Sequence, residues 1–318
     1  MARDDDGDAR ALRTDEVVVV YKRSDLQVYV EDKKNPLYVE LFERKDPVVA
    51  PLVLADRAHR AALERVVEQI ERAGVRVKQT YRARFRAEEA DRRLIVTVGG
   101  DGTLLDAAKR VREGALLGVN SDPDRSVGFL CAATADDAWP LIARVLEGAE
   151  RPTRVARLSL TVDGERHKTP VLNDVLFAHK NPAATTRYRL STSTSPKGGA
   201  KSEVHRSSGV WVAAPSGTTA GILSAGGHVQ ALDDGGMQYR VREPFTLGAE
   251  RPTLTGARLT GDARLTLVSL VREGVVYVDG PHEKIPLTVG ATLVVANDAP
   301  PLPLVVTEAM RARRAALG

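Results

Sequence analysis

Residues 94–111 read LIVTVGGDGTLLDAAKRV. Five apolar and β-branched residues, Leu94 to Val98, run straight into two glycines, and Thr103 to Val111 has helical composition. The stretch therefore predicts a buried strand, a glycine turn and a helix in direct succession. Upstream, EVVVVYKR (Glu16 to Arg23) holds four consecutive valines, the pattern of a strand covered on both faces. Between the two strands, Asp56 to Gly74 places Ala61, Leu63, Val66, Val67 and Ile70 at helical spacing, with Asp56 as a candidate cap and Gly74 as its stop. Residues 24–54, with Pro36, Pro47 and Pro51 among many charges, are mixed. Downstream, Ala115 to Val119 predicts a further strand, NSDPDRSVGFL a polar loop, and Asp136 to Leu146 a helix despite Pro140. Strands alternating with helices imply a Rossmann-like α/β domain with a mostly parallel sheet over residues 13–149, behind a disordered lead at 1–12.

From about residue 151 the texture changes to short alternating runs, among them ARLSLTVD, VLNDVLFA, GVWVAAP, GVVYVDG and ATLVVAND, separated by turn residues. Residues 150–298 are therefore expected to form an all-β sandwich. STSTSPKGGAKS (Ser191 to Ser202) reads as a flexible hairpin tip. After APPLPL, the helical Thr307 to Leu317 is expected within a segment, 299–318, that returns to the first domain.

With 318 residues, 43% hydrophobic and 28% charged, the composition is that of ordinary globular domains. Forty-six Lys and Arg against 42 Asp and Glu leave a net charge of +4, and aromatics are only 4%. Neither a polybasic surface nor a stacking platform for single strands is implied, which argues against a nucleic-acid partner. Cys131 is the sole cysteine, so an intrachain disulfide and a thiolate zinc cage are excluded and a reducing compartment is expected. The lead MARDDDGDAR lacks a secretory pattern and no run approaches the ~18 apolar residues of a membrane span, so a cytoplasmic chain without a membrane partner is expected. The six histidines (His59, His167, His179, His205, His228, His282) show no paired ligand spacing and are expected to be mostly solvated. No dedicated metal site is expected; a Mg²⁺ ion carried by a nucleotide needs none.

Chemistry concentrates at three places. In Gly99-Gly100-Asp101-Gly102-Thr103, a glycine turn after a buried strand lets main-chain N–H groups and a helix N-terminus approach phosphate oxygens. Asp101 is out of place beside phosphate unless it accepts a proton from a hydroxyl nucleophile, orients it, or touches a metal. The competing reading is a plain turn with Asp101 capping the helix through the amide of Thr103 or Leu104. Asn173-Asp174 interrupts a β run and must find partners or face a cleft, where an amide and a carboxylate can hold base edges or ribose hydroxyls. The alternative is a bulge or turn. Ser208 to Gly227 leads a strand into hydroxyls and small residues, leaving room for a planar ligand; here the alternative is a tight turn before a small-residue helix.

At these three places, and again at VGFL (127–130) and YVDG (277–280), the chain resembles the NAD kinase family over roughly residues 90–300. GGDGT alone is shared with lipid kinases; the Asn-acid pair and the hydroxyl-rich loop ending in S-A-G-G make the resemblance specific. It implies transfer of the γ-phosphoryl of ATP, with Mg²⁺, to the adenosine-ribose 2′-hydroxyl of NAD or NADH. By the same resemblance Asp101 is the proton acceptor, Gly99, Gly100, Gly102 and Thr103 shape the phosphate turn, and Asn173 and Asp174 contact the dinucleotide. Arg206, Ser208, Thr219, Ala220, Gly221 and Ser224 are implied to line the rest of the same site, and a homodimer or homotetramer is implied. Two departures stand out: Ser208 where the family commonly has Asp, and Gly221 where it has an aromatic. RSSG and AHKNPA are similar to a branch that includes plant NADH-preferring kinases. The competing functions are a diacylglycerol or sphingosine-type lipid kinase, and a non-catalytic dinucleotide sensor using Arg311, Arg313 and Arg314 on a partner.

Overall fold

In the computed structural model, residues 12–193, 200–246 and 251–318 are described. The expected disordered lead falls, through residue 11, outside these residues. The chain forms two compact units: the first runs to Pro152 and takes in Pro303–Thr307, the second comprises Thr153–Leu302 and Glu308–Gly318.

The first unit is built from β1 (Arg13–Tyr21), α1 (Pro36–Glu43), α2 (Ala50–Arg72), β2 (Arg76–Tyr81), β3 (Arg93–Gly99), α3 (Asp101–Ala108), β4 (Ala115–Asn120) and α4 (Ala138–Leu146). Its strands lie side by side in the order β4-β3-β1-β2, every pair parallel, with Val17 opposite both Val77 and Leu94. Val17 to Val20, Leu94 to Val96 and Val98 are fully buried. Each such side chain contributes roughly 1.5–3 kcal/mol, which is why apolar runs rather than alternation mark these strands.

Helix α2 begins six residues before the expected Asp56. Pro51 is tolerated in its first turn because an amide there has no intrahelical partner to lose. Asp56 is no cap: it lies buried within the helix, accepting hydrogen bonds from Ser24 Oγ at 2.5 Å and Arg60 Nε at 2.9 Å. The buried stripe runs through His59, Ala62, Val66 and Ile70, and Ala61 is exposed. Gly74, at φ +79°, ends the turn as expected. In the mixed region α1 starts where Asn35 Oδ1 accepts from the Leu37 amide, with Pro36 in the first turn.

Two histidines expected to be solvated are buried, His59 and His205. His59 Nε2 lies 2.8 Å from the Lys22 carbonyl, which can only accept, so that nitrogen carries the proton and Nδ1 accepts from Ser121 Oγ at 3.2 Å. Burial lowers the pKa of both rings and holds them neutral. The unfolded chain therefore binds protons that the native state does not as pH falls below about 6.5, and stability falls with it. A His59→Gln variant keeps one donor and one acceptor but does not titrate, and groups elsewhere are common to both proteins. It is expected to lose less in Tm between pH 7.5 and 5.5 than the wild type; equal losses would show that His59 does not couple folding to pH.

The second unit contains β5 (Thr153–Val162), β6 (Asp174–His179), β7 (Thr186–Ser193), β8 (Ala200–Ser207), β9 (Val210–Ala213), β10 (Met237–Val241), β11 (Gly256–Leu259), β12 (Arg264–Ser269), β13 (Gly274–Val278), β14 (Glu283–Pro286), β15 (Thr292–Leu304) and α5 (Glu308–Ala315). One sheet runs β8-β7-β12-β15 with β5 also on β15; the other runs β11-β10-β9-β6-β13-β14. Leu158, Tyr188, Leu265 and Leu293 of the first pack with Phe177, Val212, Tyr239 and Val276 of the second. Phe177 and Tyr188 meet edge to face at 5.6 Å across this core. This is the expected sandwich. The proposed hairpin tip lies, over residues 194–199, outside the described residues, and Ser193 pairs with Ala200 at its base.

Only part of the 299–318 segment joins the first unit. Leu304 pairs in parallel with Leu116, and the Val305 amide donates to the Leu116 carbonyl. Helix α5 belongs instead to the second unit, where Met310 and Arg314 are its buried residues. Among the described residues no helix is long and apolar enough to cross a membrane.

Candidate active site

In the first unit, the buried β3 delivers the chain to Gly99, and α3 starts at Asp101. Asp101 does not cap its helix. Its carboxylate accepts hydrogen bonds from the main-chain amides of Phe129 at 3.0 Å and Leu130 at 2.8 Å, with the Cys131 thiol 3.8 Å from Oδ1. Those amides belong to VGFL, so the two motifs form one structure. The loop before them is shaped by Asn120, whose Nδ2 donates to the Ser126 carbonyl and whose Oδ1 accepts from the Asp122 amide. Gly128, at φ +64°, lies so close that a Cβ would come 2.8 Å from Asn120 Nδ2.

The glycines of the turn have different causes. A Cβ on Gly99 would fall 2.2 Å from Thr103 Oγ1, so the buried threonine folds back over a position that must be bare. Gly102 is exposed with nothing within 4 Å of its missing Cβ, so no protein atom demands glycine there. The Thr103 amide is spent on the Gly100 carbonyl at 2.9 Å, which leaves it closing the turn rather than facing outward.

In the second unit, Asn173 and Asp174 open β6, and Asp279 fixes them. Its carboxylate accepts from the successive amides of Leu172 (3.1 Å), Asn173 (2.7 Å) and Asp174 (3.2 Å), while its own amide donates to the Asp174 carbonyl. Asp279 stands at φ +47° before Gly280 at +105°, the tight turn that the DG pair encodes. Asp174 is 5% exposed, and Asn173 Nδ2 donates to its Oδ2 at 3.4 Å. Burial, with Asp279 as a second cause, pushes its pKa up to about 7. At neutral pH this carboxyl can either accept a hydrogen bond from a hydroxyl or donate one.

The segment after β9 packs on this pair. The Ala214 amide donates to the Asn173 carbonyl at 3.0 Å, Ser216 Oγ donates to the Leu172 carbonyl, and a Cβ on Gly217 would lie 2.0 Å from the Asn173 oxygen. A 3-10 turn, Pro215–Thr219, leads to a one-turn helix, Gly221–Ser224. Thr219, Ala220 and Gly221 are half-buried and Ser224 is exposed.

Arg314 of α5 holds this turn. Its guanidinium, in a side chain only 3% exposed, donates to the carbonyls of Pro215 (2.6 Å), Ser216 (3.1 Å) and Gln230 (3.0 Å), and to the hydroxyls of Thr218 (3.2 Å) and Thr219 (3.4 Å). The sensor reading offered this residue to a partner; Met310 four residues earlier is the sign of its inward face. Asp279 was the other residue whose role the sequence left unassigned.

Arg206 and Ser208 do not join this end of the sheet. They precede β9, whose register sets Ala213 against Asp174 and Val210 against Phe177, so the length of β9, roughly 13 Å, separates them from the Asn-Asp pair. Arg206 is exposed, and Ser208 is tied to Arg242 by main-chain hydrogen bonding. Gly221, the other departure, abuts Trp211: a Cβ there would lie 2.6 Å from the indole Cζ2.

The sequence model of the ATP-NAD kinase N-terminal domain matches residues 16–150. A rice protein (Oryza sativa subsp. japonica) named "Probable NADH kinase" is 36% identical over 232 residues, 68% of this chain and 71% of its own. The NADH kinase of Arabidopsis thaliana is 29% identical over 286 residues, 85% of this chain and 87% of its own. Among solved structures, an NAD kinase from Archaeoglobus fulgidus in complex with ATP superposes with a TM-score of 0.68 at 19% identity, covering 95% of this chain and 98% of that one. Yeast NADH kinase complexed with NADH gives 0.64 at 18% identity, covering 94% and 85%. At these identities the two structures establish the fold.

Proposed function

The chain belongs to the NAD kinase family, and from that premise we propose that it phosphorylates NAD or NADH. In this reading the γ-phosphoryl of ATP, taken as its magnesium complex, passes to the 2′-hydroxyl of the adenosine ribose, giving NADP or NADPH. The observation that carries it is the Asp101 carboxylate, held by two main-chain amides at the head of a glycine turn that ends in an exposed, unobstructed Gly102.

Phosphoryl transfer needs alignment and charge neutralisation more than covalent help. The hydroxyl proton passes to Asp101, and the freed oxygen pair forms the new bond to the γ-phosphorus. The bond to the bridging oxygen breaks, with its electrons leaving on ADP. Magnesium accompanies the donor as part of the substrate and screens its charge. Among the described residues no three His, Cys, Asp or Glu side chains cluster as a metal cage. Asn173 and Asp174 bind the dinucleotide through hydrogen bonds, with the Pro215–Ser224 segment beside them.

NADH is the favoured acceptor, a reading supported by the two plant relatives that carry that name. We place the protein in the cytoplasm as a homodimer or homotetramer, on the family resemblance and the lone, buried Cys131 thiol. The test is a coupled NADP(H)-formation assay crossing NAD and NADH with ATP and polyphosphate, beside labelled ATP with diacylglycerol. Product from ATP with NADH or NAD is expected. Label in the lipid alone, or none anywhere, would overturn the assignment.

A further inference from the structure

A buried imidazole stands at the carboxyl ends of the first unit's strands. The inward stripe of α2 continues from His59 through Ala62, Val66 and Ile70, all apolar, whereas His59 is polar and only 2% exposed. Such a group costs stability unless both of its nitrogens find partners. Both do, and at strand ends: Nε2 donates to the carbonyl of Lys22, which follows β1, and Nδ1 accepts from the hydroxyl of Ser121, which follows β4.

Strand register shows what lies between those two ends. Tyr21 pairs with Val98 and Gly99 with Asn120, so β1, β3 and β4 finish at one level with β3 in the middle. Neighbouring strands are about 4.8 Å apart, which puts β1 and β4 roughly 9.6 Å from each other. An imidazole with a hydrogen bond on each nitrogen bridges that gap, and does so where β3 passes the chain to the Gly99–Thr103 turn.

Ser121 carries the bridge into the turn. Its amide donates to the Gly99 carbonyl at 3.0 Å, and its buried hydroxyl has no hydrogen-bond partner among the described residues besides His59. Its neighbour Asn120 shapes the loop whose Phe129 and Leu130 amides hold Asp101. One ring therefore ties both the first residue of the turn and the foot of the Asp101 clamp to β1.

We propose that His59 is a positioning residue for phosphoryl transfer, keeping Gly99 and Asp101 aligned with the transferred group through Ser121. The inference rests on the kinase reading above. With its ring buried and both nitrogens occupied, His59 acts through Ser121 and not on the substrate. Transfer between two bound molecules depends on alignment, and a misplacement of about 1 Å costs about 10²-fold in rate. Asn173 and Asp174, assigned above to the dinucleotide, belong to the second unit, so the effect is expected in kcat and not in the KM for NADH.

The test measures kcat and the KM for NADH, at saturating ATP, in the wild type, His59→Leu, Ser121→Ala, the double variant and His59→Gln, each checked for folding by urea denaturation. His59→Leu is expected to lower kcat about 10- to 100-fold and Ser121→Ala about tenfold, with the KM for NADH within about twofold of wild type. Because both residues act through one hydrogen bond, the double variant is expected to lose no more than His59→Leu alone. Glutamine, which keeps a donor and an acceptor, is expected to recover part of the turnover. A kcat within about twofold of wild type in either single variant, or a raised KM with kcat intact, overturns the proposal. So do losses that multiply in the double variant, and a glutamine variant no more active than the leucine one. If His59→Leu does not fold, Ser121→Ala, which removes only the hydroxyl, decides the matter: unchanged turnover overturns the proposal. A wild type that forms no NADP(H) would instead remove the kinase reading itself.

Discussion

Asp101→Asn is expected to lower kcat by about 10²- to 10⁴-fold, the range of a lost general base. The amide keeps the size of the side chain but cannot take the hydroxyl proton. It also retains one acceptor oxygen for two main-chain donors, so its NH₂ group faces the amide of Phe129 or Leu130, donor against donor. That conflict is expected to cost about 1–3 kcal/mol of stability, far less in rate terms than the lost turnover. Steady-state kinetics beside urea denaturation separate the two: full turnover in a folded variant would remove Asp101 from the mechanism. A loss of stability matching the loss of rate would make it a clamp on VGFL alone.

The second large effect is expected at Arg314. Arg314→Met keeps an unbranched apolar stem but leaves the carbonyls of Pro215, Ser216 and Gln230 without their buried donor. Each orphaned acceptor costs about 1–3 kcal/mol, so a loss of about 3 kcal/mol or more is expected in denaturant unfolding. The turn that Pro215 and Ser216 belong to packs on Asn173, so the KM for the dinucleotide is expected to rise while that for ATP changes less. Arg314→Lys restores the charge but not the planar fork, and is expected to recover only part of both losses. Unchanged unfolding and unchanged KM in Arg314→Met would mean that the turn holds its shape without α5.

Much of this was legible in one dimension. LIVTV and VVVV announced parallel strands because a sheet covered on both faces tolerates only apolar residues. GGDGT and VLND announced chemistry because glycines and acids have no cause inside a core run. The start of α2 was misplaced because Asp56 has the chemistry of a cap, and its use by Ser24, thirty-two residues away, leaves no local trace. Motif order could not give the distance of Arg206 and Ser208 from Asn173, which strand register, a property of pairing, sets at the length of β9.

The amino-acid order by itself determined the α/β and sandwich units, the glycine turn and the pairing of an amide with an acid, since each rests on periodicity or on residue types within a few positions. Tertiary structure alone decided which main-chain groups those side chains serve. Asp101 answers to amides 28 and 29 residues away, Asp279 to three amides more than a hundred away, and Arg314 to carbonyls nearly as distant. The physical reason is that every peptide carries the same donor and acceptor whatever its side chain, so sequence cannot say which of them a buried charge will find.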